Sequence, residues 1–278
     1  MALYAFDGTW NEDEEDEGRD TNVARFCSAY GGPNKFYLTG VGTRAGFVGK
    51  LLGGVAGVGG RIRTLEARRE LEKNFRRGDR TIDIVGFSRG AALALNFANE
   101  IDEEMAGAPI RFLGLWDTVA SFGLPGNDLN LAWHLTLPAN VLKCYHAMAL
   151  DERRGNFAPT RVKPARAGDA TDGRLEEVWF RGVHSDVGGG ASVGLSSIAL
   201  CWMLRRALAN GLPMDDAGCR RFEALRDPDA SISRTFDPKL DPARRIEPTD
   251  LVHASVRPRG RVRGLEHNDP PATLRVIE

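Results

Sequence analysis

Between Thr81 and Glu104 the chain reads as a strand, a glycine-flanked serine and a helix, with no break between them. Thr81-Ile82-Asp83-Ile84-Val85 is a β-branched run, and Arg89–Glu104 is rich in alanine and leucine. Gly86-Phe87-Ser88-Arg89-Gly90 sits at the junction. A G-x-S-x-G string in that setting forms a nucleophile elbow, a strained turn that lifts the serine hydroxyl above the carboxyl edge of a buried sheet. Small residues at Gly86, Gly90 and Ala91 let the two backbones approach closely. Gly190-Ala191-Ser192-Val193-Gly194 has the same spacing but follows Val187-Gly188-Gly189-Gly190, which makes no strand. Ser88 is therefore the candidate nucleophile.

The flanking sequence repeats the alternation. Leu3–Phe6, Phe36–Thr39, Ile110–Trp116 and Glu177–Phe180 read as strands. Helices are expected from Thr21, as N-cap, to about Ala29, over Arg61–Arg77, around Leu142–Leu150, and over Leu195–Ala209. Continuous apolar strands alternating with helices predict an α/β fold, α/β-hydrolase-like, with a mostly parallel central sheet and helices on both faces. Residues 1–278 are read as one domain, with 121–140 as a lid-like insert and 211–278 as a segment of loops and short elements wrapping the core.

A serine hydroxyl needs a general base, and the base needs an orienting acid. In this architecture the chain order is serine, acid, histidine. Asp117 ends the apolar strand Phe112–Trp116, and His184 follows Val178-Trp179-Phe180, so both are expected at the same sheet edge as Ser88. Asp186 is a reserve acid. His253, late in the chain, is the alternative histidine. His134, in the irregular insert, and His146, expected on a helix, read as packed or surface histidines. The oxyanion hole should use the Arg89 backbone N–H and a donor from the Gly8/Thr9 loop, with Asp7 fixing that loop.

Other chemistries lack their residues. Phe6-Asp7-Gly8-Thr9 approaches a D-x-D-G-T phosphatase motif, but Ala5 occupies the position of the nucleophilic aspartate. Gly54–Gly60 lacks the Lys and Ser/Thr of a phosphate loop. Gly40-Val41-Gly42-Thr43-Arg44-Ala45 is followed by no helix start. The acidic run Glu12–Glu17 lacks the alternating ligand spacing of a calcium loop. Cys27, Cys144, Cys201 and Cys219 are too scattered for a zinc site or a disulfide framework. With 37 basic against 38 acidic residues, no field exists to hold a nucleic-acid backbone. No cofactor, metal or nucleic acid is expected. Leu51–Gly60 is too short and glycine-rich to span a bilayer, and Met1 leads into no Sec-type signal, so the expectation is a soluble protein made in the cytoplasm.

Several strings occur together in order: Phe6-Asp7-Gly8-Thr9-Trp10-Asn11, Thr21-Asn22-Val23, Gly40-Val41-Gly42-Thr43, Gly86-Phe87-Ser88-Arg89-Gly90-Ala91 and Trp116-Asp117-Thr118-Val119. His146–Arg154 and Trp179–Gly190 follow. Over residues 3 to 210 the chain resembles the DUF2235 α/β-hydrolase family, which includes the phospholipase effectors of bacterial type VI secretion systems. The resemblance implies a Ser-Asp-His hydrolase of lipid acyl esters, with the family serine, acid and histidine falling on Ser88, Asp117 and His184. It also implies transient contact with a membrane surface, export by a type VI system, and a secretion-system or immunity partner. The alternatives are a small-molecule esterase or thioesterase of the same mechanism, and a catalytically silent hydrolase-like binding module.

Overall fold

The computed structural model describes residues 1–8, 20–39, 55–105, 107–120, 135–164, 173–235, 242–256 and 267–278. Thr9, the Glu12–Glu17 run, the Gly40–Ala45 string, residues 121–134 of the insert with His134, and the arginines at 257, 259, 261 and 263 lie outside the described residues.

Eight strands form one sheet. They are β1 (Ala2–Phe6), β2 (Asn34–Leu38), β3 (Ile82–Phe87), β4 (Ile110–Trp116), β6 (Cys144–Ala149), β8 (Leu175–Phe180), β9 (Leu251–His253) and β10 (Arg275–Ile277). Their order is β10-β9-β8-β6-β4-β3-β1-β2, and every pairing is parallel. Two short strands, β5 (Thr136–Leu137) and β7 (Lys163–Pro164), pair separately. The order climbs outward from β3 in one direction and through β1 to β2 in the other, so the first strand–helix crossings switch sides near β3. Ligands of open α/β sheets bind outside the carboxyl ends of strands at such a switch.

Helices cover both faces. On one lie α1 (Asn22–Ala29), α4 (His184–Gly188), α5 (Val193–Ala209) and α6 (Asp216–Glu223), packing Val23, Phe26, Val187, Trp202 and Phe222 against Leu3, Ala5, Phe112 and Trp116. On the other lie α2 (Val55–Arg76) and α3 (Arg89–Glu104), packing Leu71, Leu93 and Phe97 against Tyr4, Phe6, Leu113 and Leu115. Alternate residues of β1 feed opposite cores, as a period of two requires. Thr21 caps α1, its hydroxyl accepting the Ala24 N–H at 3.1 Å. No helix among the described residues is long and apolar enough to cross a membrane.

Two expectations need correction. The helix expected over 142–150 is strand β6, in the middle of the sheet between β4 and β8. Ala147, Met148, Ala149 and Leu150 carry helical propensity, but a strand buried on both faces shows no alternation, and pairing on two edges overrides propensity. His146 consequently lies on a strand, not a helix. Helix α2 also starts at Val55, six residues before the expected Arg61.

Candidate active site

Ser88 joins β3 to α3 with φ 57° and ψ −126°, a left-handed conformation that a non-glycine residue adopts at a cost of about 1 kcal/mol or more. Backbone bonds hold the turn. The Ser88 N–H donates to the Trp116 carbonyl at 3.0 Å, and its own carbonyl accepts from Ala91 at 3.1 Å and Val119 at 3.2 Å. A side chain at Gly86 would stand 2.7 Å from the Ala91 Cα, and one at Gly90 would overlap the Phe6 carbonyl. Both glycines are therefore required by close backbone approach.

Asp117 leaves β4 with φ 36°, which swings its carboxylate out of the strand, and it is fully buried. His184 opens α4 just beyond β8. Its Nδ1 lies 2.6 Å from Asp117 Oδ2 and its Nε2 2.8 Å from Ser88 Oγ. An ionised carboxylate can only accept, so Nδ1 carries the proton and the Nε2 lone pair faces the serine hydroxyl. The ring sits between Phe87 and Phe157, at centroid distances of 4.6 and 4.8 Å. Three side chains drawn from the ends of three strands thus make one hydrogen-bonded line.

The supporting groups were largely invisible in the sequence. Arg244, itself buried, donates from Nη1 to Asp117 Oδ1 at 2.6 Å and from Nη2 to Oδ2 at 3.1 Å. Burial pushes the Asp117 carboxyl upward. The Arg244 guanidinium and the His184 bond outweigh it and hold the group well below the usual carboxylate range. Nothing in Ala243-Arg244-Arg245 separates Arg244 from its neighbour, whose side chain is 85% exposed. Glu152 accepts the His184 backbone N–H at 3.2 Å and pairs with Arg154. Burial raises Glu152, but Arg154 and the surrounding amides leave it below its ordinary value. His146 lies beneath the acid: its Nε2 accepts the Thr118 N–H at 3.2 Å, so Nδ1–H donates to Glu177 at 2.9 Å.

Other expected residues have different occupations. Asp186 accepts from Val183, Ser192 and Ser233 and makes no bond to His184 among the described residues, so it ties α4 to the loops beside it. Ser192 is the N-cap of α5. His253 stacks on Phe180 at 4.7 Å, and its Nδ1 accepts the Ser255 N–H at 3.1 Å. Burial and the arginines at 205, 226 and 206 push His253 down to about 3, so the ring is neutral. Asp7 accepts the Gly8 N–H at 2.6 Å and hydroxyl bonds from Thr21 and Tyr37. Asp7 thus bonds within its own loop, to the α1 cap and to β2, and the Gly8 amide expected in the oxyanion hole is turned onto its neighbour's carboxylate. Thr9 lies outside the described residues. Arg89, first residue of α3, keeps an N–H with no intrahelical acceptor.

A family model described as "T6SS, Phospholipase effector Tle1-like, catalytic domain" matches residues 3–104 and 96–206. No curated protein matches the chain. Among solved structures, the chain is similar to an uncharacterized protein from Pseudomonas aeruginosa, with a TM-score of 0.56 at 22% identity, covering 84% of this chain and 48% of that one. It also matches a Tle1 effector bound to the VgrG spike of the type 6 secretion system, with a TM-score of 0.48 at 24% identity, covering 70% of this chain and 52% of that one. The chain therefore spans about half the length of these structures, and the likeness to the first, at 22% identity, concerns the fold.

Proposed function

The chain belongs to the type VI secretion phospholipase effector Tle1-like catalytic-domain family, and from that premise we propose that it is a serine hydrolase cleaving the acyl esters of lipids through Ser88, His184 and Asp117. The observation carrying the reading is the unbroken line from Ser88 Oγ through the imidazole to Asp117, at 2.8 and 2.6 Å, on a strained elbow.

His184 Nε2 takes the Ser88 proton as Oγ bonds to the ester carbonyl carbon. The carbonyl electron pair moves onto oxygen, where the Arg89 N–H is one donor to the oxyanion. Asp117 stabilises the imidazolium without itself taking a proton. Collapse of the tetrahedral intermediate breaks the carbon–oxygen bond to the alcohol, which leaves with the proton from Nε2. Water then attacks the acyl-serine, passing its proton to His184, and the carboxylic acid departs as Ser88 recovers a proton. The second oxyanion donor falls to the loop that includes Thr9.

The same reading takes residues 1–278 as one domain, since β9 and β10 extend the main sheet. The DUF2235 grouping, contact with a lipid surface, delivery by a type VI apparatus and an immunity partner belong to it as well.

A fluorophosphonate probe should label the wild type and not Ser88→Ala. Mixed phospholipid vesicles should release fatty acid or lysophospholipid, identified by mass, with the Ser88→Ala rate lower by about 10⁴-fold or more. Labelling without vesicle turnover, but with hydrolysis of soluble short-chain esters or thioesters, would replace lipid by a small acyl substrate. Absence of both label and turnover would leave a silent binding module.

A further inference from the structure

We infer that Arg244 is a positioning residue of the hydrolytic site, locking the Asp117 carboxylate in the orientation His184 needs. The inference rests on the reading of Ser88, His184 and Asp117 given above.

A carboxylate offers about four lone-pair sites. Those of Asp117 are filled by His184 Nδ1 and Arg244 Nη2 on Oδ2, and by Arg244 Nη1 and the Ala149 N–H on Oδ1. The fork spans both oxygens, including the one facing the imidazole, so the carboxylate cannot turn without breaking a charge-assisted bond. Arg244 is anchored in turn. It donates to the Ala149 and Phe157 carbonyls at 2.6 and 2.5 Å, and its own carbonyl accepts from Asn268 at 2.9 Å. Phe157 also packs edge-on to the His184 ring. One guanidinium therefore organises both the acid and a wall of the imidazole's pocket.

The fork also supplies the charge that keeps Asp117 ionised in full burial. The other charged groups around the ring are already committed: Glu152, which takes the His184 backbone N–H, is paired with Arg154. Asp151 is paired with Arg181, and Asp186 is held by Val183, Ser192 and Ser233. Arg89 adjoins Ser88. Among the described residues, Arg244 and His184 are the side chains that bond the Asp117 carboxylate.

The test is kcat and KM on a soluble acyl ester, with the rate of fluorophosphonate labelling alongside. Lysine keeps the charge and loses the fork; methionine loses both. Arg244→Lys should lower kcat about tenfold with KM within about twofold of the wild type. Arg244→Met should lower kcat further, by about a hundredfold, again with KM little changed and labelling slowed in step. A wild-type kcat in folded R244M, or a loss carried by KM, overturns the inference. If R244M does not fold, R244K decides: a wild-type kcat overturns it and a selective fall in kcat supports it. Failure of both to fold would make Arg244 a structural residue and also overturn it. Activity surviving in Ser88→Ala would instead sink the triad reading, whatever the arginine variants do.

Discussion

Two aspartate–arginine pairs with buried carboxylates stand at opposite ends of the same strands. At the amino end, Asp83 on β3 receives a fork from Arg111 on the adjoining β4, Nε at 2.9 Å and Nη2 at 2.6 Å, and the Tyr30 hydroxyl donates at 3.0 Å. At the carboxyl end, Asp117 receives its fork from Arg244, and its third partner is His184. Both carboxylates are fully buried. The pairs differ in what else is present. Burial and Asp83 push the Tyr30 hydroxyl well above its ordinary range, so it stays a proton-bearing donor. Among the described residues the amino-end pair meets a hydroxyl that keeps its proton, whereas the other faces an imidazole and, through it, a second hydroxyl. A buried ion pair is thus not a functional signal by itself. Position decides, because the loops leaving parallel strands converge beyond their carboxyl ends while the amino ends are packed.

The largest expected effect separates the two ends chemically. Asp117→Asn cannot satisfy both the Nδ1 proton and the fork, so kcat should fall by about 10³- to 10⁴-fold. Stability should fall by about 3 kcal/mol in urea unfolding, since an enclosed guanidinium loses its counter-charge. Loss of stability with kcat preserved would erase the distinction between the pairs.

The reciprocal change at the amino end should behave in the opposite sense. Arg111→Met leaves Asp83 buried and unpaired, costing about 2 kcal/mol because the Arg111 side chain is 21% exposed. The folded enzyme should keep its kcat within about twofold. A large fall in kcat with unchanged stability would mean that the two ends are coupled through β3 and β4.

The smallest effect sharpens the contrast between histidines. His253 is buried with no acid partner among the described residues, and its folded value lies near 3 against 6.5 for a free imidazole. Below pH 6.5 the unfolded chain therefore binds a proton that the folded chain does not. Stability from this residue is full above that pH and declines as pH falls toward about 3, with a slope of up to about 1.4 kcal/mol per pH unit. His253→Gln should flatten urea-derived stability between pH 6.5 and 4.5 relative to the wild type. Equal slopes for the two proteins would show that His253 charges freely in the fold.

What could be read along the chain followed how local each signal is. The elbow is contiguous, and its glycines meet constraints set within a few residues. Asp117 and His184 each follow an apolar strand, so their common edge was predictable from parallel pairing alone. Arg244 was not legible, because its partner lies 127 residues earlier and its neighbour Arg245 points into solvent. His146 was misread for the same reason that β6 was: a central strand has no exposed face, hence no period to detect. The acceptor of the Gly8 amide was not legible either, because sequence shows a permissive residue but not which group its N–H will meet.

By itself, the sequence determined the alternation of strands and helices, the sharp turn at Ser88 and the acid-then-histidine order. These depend on backbone sterics and residue periodicity over spans of a few residues. Tertiary structure alone decided that a run of alanine and methionine would pair as the sheet's interior, that Asp186 would brace a loop, and that an arginine from the late segment would occupy the same carboxylate as His184. Those outcomes depend on which groups closure of the long connections brings into a space with no water left to compensate them, and no local pattern encodes that.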